Sequence, residues 1–119
     1  MANEAPVPFQ LAVNHGGNWV HRHVEGRNSL KYEPGQGGAI VHADDCHSGM
    51  SFDDLSAACR RSMGLPDDDV RPIRIEYVRE AGPPNRLVNV TLNQHGMDLF
   101  FEKVLAAAGE RFNVYVFLN

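Results

Sequence analysis

Gly37-Gly38-Ala39-Ile40-Val41-His42-Ala43-Asp44-Asp45-Cys46, followed closely by Ser51-Phe52-Asp53-Asp54-Leu55, is the stretch whose reading decides the fold. Ala39 to Ala43 has the composition of a strand, and Asp44 to Met50 reads as an acidic turn. Ser51 is a helix N-cap, because its hydroxyl can accept from a free backbone amide of the first turn. Asp54, three residues on, stands where a capping box has its carboxylate, and Asp53 and Asp54 sit at the positive end of the helix dipole. Phe52, Leu55, Cys59 and Met63 recur at helical spacing and predict a buried stripe. Gly64 is the expected stop, with Leu65 folding back and Pro66 preventing continuation.

Outward from this centre, the N-terminal side reads as a lead-in over 1–8 and then strand pattern. Phe9, Leu11 and Val13 alternate with polar or small residues, the period of a half-buried strand. His15-Gly16-Gly17-Asn18 predicts a turn, and Trp19 to Val24 an extended return, so 9–24 is expected to be a hairpin. Residues 25–38 predict a long loop or a short extra element. On the C-terminal side Asp67-Asp68-Asp69 is an acidic turn. Ile73, Ile75 and Tyr77 alternate with Arg74, Glu76 and Val78, which predicts a strand with Arg74 and Glu76 on a wet face. Ala81-Gly82-Pro83-Pro84-Asn85 predicts a hairpin turn before the strand of Val88, Val90 and Leu92. Met97, Phe100, Phe101, Val104 and Ala108 mark one side of a second helix, with Gly109 as its C-cap. Phe112 to Leu118 is apolar and β-branched or aromatic almost throughout, the pattern of a central, two-sided strand.

A terminal strand of that kind needs a slot between existing strands. The expected fold is therefore α+β: a single domain over 9–119 of the ubiquitin-like β-grasp type. It would have a mixed sheet of about five strands, two helices on one face, and the last strand parallel to the first. A ferredoxin-like α+β sandwich is the alternative, but it has one strand fewer at the front.

The 119 residues suffice for one hydrophobic core. A net charge of −4 lacks the basic footprint of a nucleic-acid-binding domain. No apolar stretch approaches the roughly 20 residues that span a bilayer. Met1-Ala2-Asn3-Glu4 has neither the basic nor the apolar region of a secretory leader. Cys46 and Cys59 are too few for a disulfide framework, and Cys59 falls on the apolar helix stripe. An intracellular setting, nucleus or cytoplasm, is expected.

Several residues could carry chemistry. His21 and His23, two apart on a strand, point the same way. With His42 and Cys46 they could supply the ligands zinc prefers, although no C-x-x-C or H-x-x-x-H spacing supports such a site. Adjacent Cys46 and His47 point apart on an extended segment, a poor arrangement for a nucleophile and its base. His15-Gly16-Gly17 could form an anion nest but lacks the lysine and helix of a phosphate loop. Asp67, Asp68 and Asp69 could steer a basic partner or simply solvate the surface. Trp19 is either core or an interface anchor.

Four pieces in order carry a family resemblance. These are Val13-Asn14-His15-Gly16-Gly17-Asn18-Trp19-Val20; Tyr32 ahead of Gly37-Gly38-Ala39-Ile40; Asp44-Asp45-Cys46 with Met50-Ser51-Phe52-Asp53-Asp54-Leu55; and Val114-Tyr115-Val116. Together, over roughly residues 9–118, they resemble the Phox/Bem-like domain at the N-terminus of plant Mutator-like transposases and their domesticated relatives. The resemblance implies a β-grasp fold, a non-catalytic protein–protein interaction role and a nuclear location. Better-known Phox/Bem domains pair front to back, through an acidic loop before the second helix and a lysine on the first strand. Here Asn93 to Asp98 holds a single carboxylate, and Phe9 to Asn14 has no cation. The expected partner is another protein or a second copy, with no membrane, nucleic acid or cofactor involved. Trp19, His21, Arg74, Glu76 and Asp67 to Asp69 are the candidate contacts. A small His/Cys metal-binding protein or enzyme is the competing expectation.

Overall fold

A computed structural model describes residues 6–24, 27–80, 87–107 and 110–118, with side chains except at 21–24, 27–29 and 80. The architecture is α+β, a five-stranded mixed sheet with two helices. The elements are β1 (Pro8–Val24), β2 (Arg27–His47), α1 (Phe52–Ser62), β3 (Ile73–Glu80), β4 (Leu87–Thr91), α2 (Met97–Ala106) and β5 (Phe112–Leu118). A short 3₁₀ turn, Gln94–Gly96, leads into α2. Two strands precede α1, not the one of a ferredoxin-like order. Spatial order is β2-β1-β5-β3-β4. The apolar terminal strand fills the central slot, parallel to β1 (Val13 opposite Val114) and antiparallel to β3 (Ile75 opposite Val116). No described helix is long and apolar enough to cross a membrane.

One face of the sheet holds the core. Leu11, Val13, Ile75, Tyr77, Val114 and Val116 meet Leu55, Ala58 and Cys59 of α1 and Met97, Phe100, Phe101 and Val104 of α2. Phe100 is the hub, with ring centroids 5.5 Å from Tyr77, 5.7 Å from Phe112 and 6.2 Å from Phe9. The capping expected for α1 is present. Ser51 Oγ accepts from the Asp54 amide at 3.1 Å. At the other end Gly64 adopts φ +74°, and its amide donates to Arg61 while the Leu65 amide donates to Arg60. A residue with a Cβ would be strained there. Gln94 Oε1 accepts from the Phe52 amide at 2.7 Å, fastening the start of α1 to the turn before α2.

Three sequence expectations fail at the front of the chain. His15 to Asn18 is not a turn: β1 runs unbroken for 17 residues. Residues 27–38 are not a loop, because β2 is one strand of 21 residues paired with β1 out to Val24 opposite Arg27. Asp44 to His47 belongs to that strand rather than to an acidic turn; the turn is confined to Ser48 and Gly49 and has no carboxylate. Local glycine content suggested turns, but long-range pairing decides strand extent, and glycine inside a strand also marks a bulge. The turn expected at 81–85 and the helix-ending Ala108 and Gly109 lie outside the described residues. Near the start, Val7 is already tied down: its amide donates to Ser48 Oγ at 2.8 Å, and its carbonyl accepts from the Ser48 amide at 2.8 Å.

A candidate interaction surface on the helix-free face

The second face is built by the far half of the β1–β2 ribbon. His15 pairs with Ala39 and Gly17 with Pro34, so one residue of β1, Gly16, faces four of β2. The extra length gives β2 the longer path and lets the ribbon bend, as bulges do. Glycines make the bend possible. Gly16 has φ +82°, and a Cβ there would lie 2.8 Å from the Gly38 Cα. A Cβ on Gly17 would lie 2.4 Å from the Glu33 carbonyl oxygen, a distance no real Cβ tolerates. Beyond the bend the ribbon lies over the sheet, and β2 touches β4 although the two form opposite edges.

An aromatic cluster seats it. Trp19 and Tyr32, partners across the ribbon, have ring centroids 4.6 Å and 4.8 Å from Tyr115 of β5. Phe117 lies 6.3 Å from Trp19, and the Arg74 guanidinium stands 4.8 Å over the Phe117 ring, a cation–π contact. Tyr32 Oη accepts from the Gly17 amide at 2.8 Å, which closes the bend from inside. Burial pushes the Tyr32 and Tyr115 phenols up from their ordinary values; the Gly17 hydrogen bond opposes this at Tyr32, and neighbouring Tyr32 adds to it at Tyr115.

At the centre lies Glu76. It is 3% exposed, a correction to the wet position that strand alternation predicted. Trp19 Nε1 and Asn89 Nδ2 each donate to Oε1 at 2.7 Å, Arg74 Nε donates to Oε2, and Thr91 Oγ1 lies 3.5 Å from Oε2. Burial alone would raise this carboxyl, but the bonds from Asn89, Trp19 and Arg74, with the Arg74 charge, hold it below its ordinary range. A carboxylate inserted into an aromatic layer is tolerated only when so satisfied. It fixes the ribbon through the indole N–H, and it is spent internally rather than offered to a partner.

The remaining candidates are scattered. His42 is exposed and pairs with Ala12, while the neighbouring Ala43–Leu11 pair faces the helices. A second register shift, between Phe9 and Leu11, turns Cys46 into the core. His42 and Cys46 therefore do not share a site. The side chains of His21 and His23 lie outside the described residues. Among the described residues no group of three or more His, Cys, Asp or Glu side chains could hold a metal ion. Burial, reinforced by Asp45, pushes the Cys46 thiol up to about 11; burial with neighbouring Cys46 pushes Cys59 to about 12. Both are the opposite of an activated thiolate. Asp44 and Asp45 occupy that second bulge and meet Arg111 at 3.3 Å and Arg61 at 2.9 Å. Asp69 is bound by Arg71, whose hydrogen bonds hold its carboxyl down to about 2. Asp67 and Asp68 are exposed.

Tyr115, Phe117 and Asn89 escaped the sequence-based choice of contacts. The alternation of Tyr115 and Phe117 with buried Val114 and Val116 was the signal for an aromatic second face. Comparison with protein-family models, with curated proteins and with solved structures found no match.

Proposed function

We propose that this chain is a non-catalytic protein–protein interaction domain of the Phox/Bem-like β-grasp type, related to the N-terminal domains of plant Mutator-like transposases. Its partner is a second copy or another protein, met along a sheet edge. The observation that carries this reading is the sheet itself. Its order is β2-β1-β5-β3-β4, and among the described residues β2 and β4 each pair on one side only. An edge strand presents a row of unpaired backbone groups, and adding a strand there needs no special side chains. That suits a chain without the charged halves of front-to-back Phox/Bem pairing. The high thiol values of Cys46 and Cys59 and the internally satisfied Glu76 fit a non-catalytic role.

Mass in solution, measured by light scattering over a range of concentrations and at two salt levels, tests the self-association arm. Edge pairing predicts a concentration-dependent dimer that survives high salt, because backbone hydrogen bonds are little screened. A dimer lost in salt would overturn the edge mode in favour of charge pairing. A strict monomer throughout would overturn self-association.

A further inference from the structure

Between the folded-over ribbon and the sheet lies a cleft of about 630 Å³. Small-molecule sites typically measure about 300–1,000 Å³ and combine mainly apolar walls with a few placed polar groups. All five strands contribute to the lining. Across the sheet these are Ile40 of β2, Asn14 of β1, Tyr115 of β5, Val78 of β3 and Leu87 of β4. The ribbon adds Trp19, Leu30, Lys31 and Tyr32. Ile40 is 63% exposed and Leu87 42%, so large apolar side chains are displayed to water along this cleft.

Asn14 supplies the polar group. It is buried, and its Nδ2 donates to the carbonyls of Ala12 at 3.3 Å and Val114 at 3.1 Å and to Asn113 Oδ1 at 3.3 Å. The amide nitrogen is thereby committed, and Oδ1 remains as an acceptor without a partner among the described residues.

We propose that this cleft binds a small, uncharged, planar aromatic molecule that carries a hydrogen-bond donor for Asn14 Oδ1. Planarity suits walls made of the Trp19, Tyr32 and Tyr115 rings, against which a flat ring can stack. Lys31, the charged side chain of the lining, is exposed and keeps its ammonium in water. Neutrality follows from the walls around Asn14, which are apolar: a charge taken in there would lose its hydration without compensation. An extended peptide fits less well. The cleft runs across strand faces whose backbone groups are already used in the sheet, so a peptide's own amides would go unpaired. The site uses side chains on the strand faces, Ile40 and Leu87 of the edge strands included, and not the backbone of the edges, so its failure would leave the edge-pairing proposal standing.

N-phenyl-1-naphthylamine, an uncharged aryl amine with one N–H, is the probe. Titrated into the full chain, it should bind saturably at one site and accept excitation energy from Trp19, the only tryptophan. The Asn14 side-chain amide resonances should shift on binding. The double variant Ile40→Lys/Leu87→Lys changes exposed side chains, so it should melt as the native chain does while binding about tenfold or more weakly. Absence of saturable binding up to the probe's solubility, undiminished binding by the double variant, or unmoved Asn14 resonances would each overturn the proposal.

Discussion

The two faces of the sheet are held by different physics. On the helix side, Phe100, Leu55, Val114 and their neighbours form a continuous apolar core with no carboxylate among the described residues. Its stability scales with buried area and tight packing, and it is non-directional. On the ribbon side the aromatic layer encloses one carboxylate, and the contact depends on the direction of the Trp19–Glu76 hydrogen bond. The first face determines whether the domain folds; the second determines where the far half of the ribbon sits.

The comparison breaks most visibly at the hub. Phe100→Ala should cost about 3–5 kcal/mol and lower the melting of helices and ribbon together, read by circular dichroism and Trp19 fluorescence in one urea titration. Glu76→Ala should cost about 2–3 kcal/mol, because it leaves the Trp19 and Asn89 donors buried without their acceptor. Its signature is an altered Trp19 emission with helical ellipticity retained. Gly17→Ala places a methyl group against Glu33 and Tyr32 and should cost about 1–3 kcal/mol, again with the larger change in Trp19 emission. Ser51→Ala, remote from the ribbon, should cost about 1 kcal/mol through the lost cap of α1 and leave Trp19 emission unchanged in the native baseline.

Acid separates the faces as well. Glu76 has a folded-state value below its ordinary 4.5, so its stabilisation is complete above that pH and is lost as pH falls through the lower folded value. Asp69, half-buried against Arg71, behaves in the same sense between 3.8 and about 2. Stability measured downward from pH 5 should therefore decline in the native chain, and Glu76→Gln should flatten the upper part of that decline.

Much of the helix side was legible from the sequence. Ser51, Leu55, Cys59 and Gly64 act locally or at fixed spacing, and the density of Phe112 to Leu118 required a central slot. The ribbon side was far less so. Gly16 and Gly17 look alike whether they make a turn or a bulge, and only pairing with Glu33 to Gly38, far along the chain, decides. Strand alternation placed Glu76 correctly on the face opposite the helices. It could not reveal that Trp19, more than fifty residues earlier, would fold over and bury it. The same non-local step separates His42 from Cys46, since a bulge of one residue against two reverses the face.

Native-state hydrogen exchange on the native chain and Glu76→Gln tests the two-face account most directly. The account predicts faster exchange in the variant at ribbon amides beyond the bend, such as Gly17, Trp19 and Tyr32, with Val13, Val114 and Val116 in the core strands unchanged. A uniform acceleration across the sheet, or none in the ribbon, would contradict it.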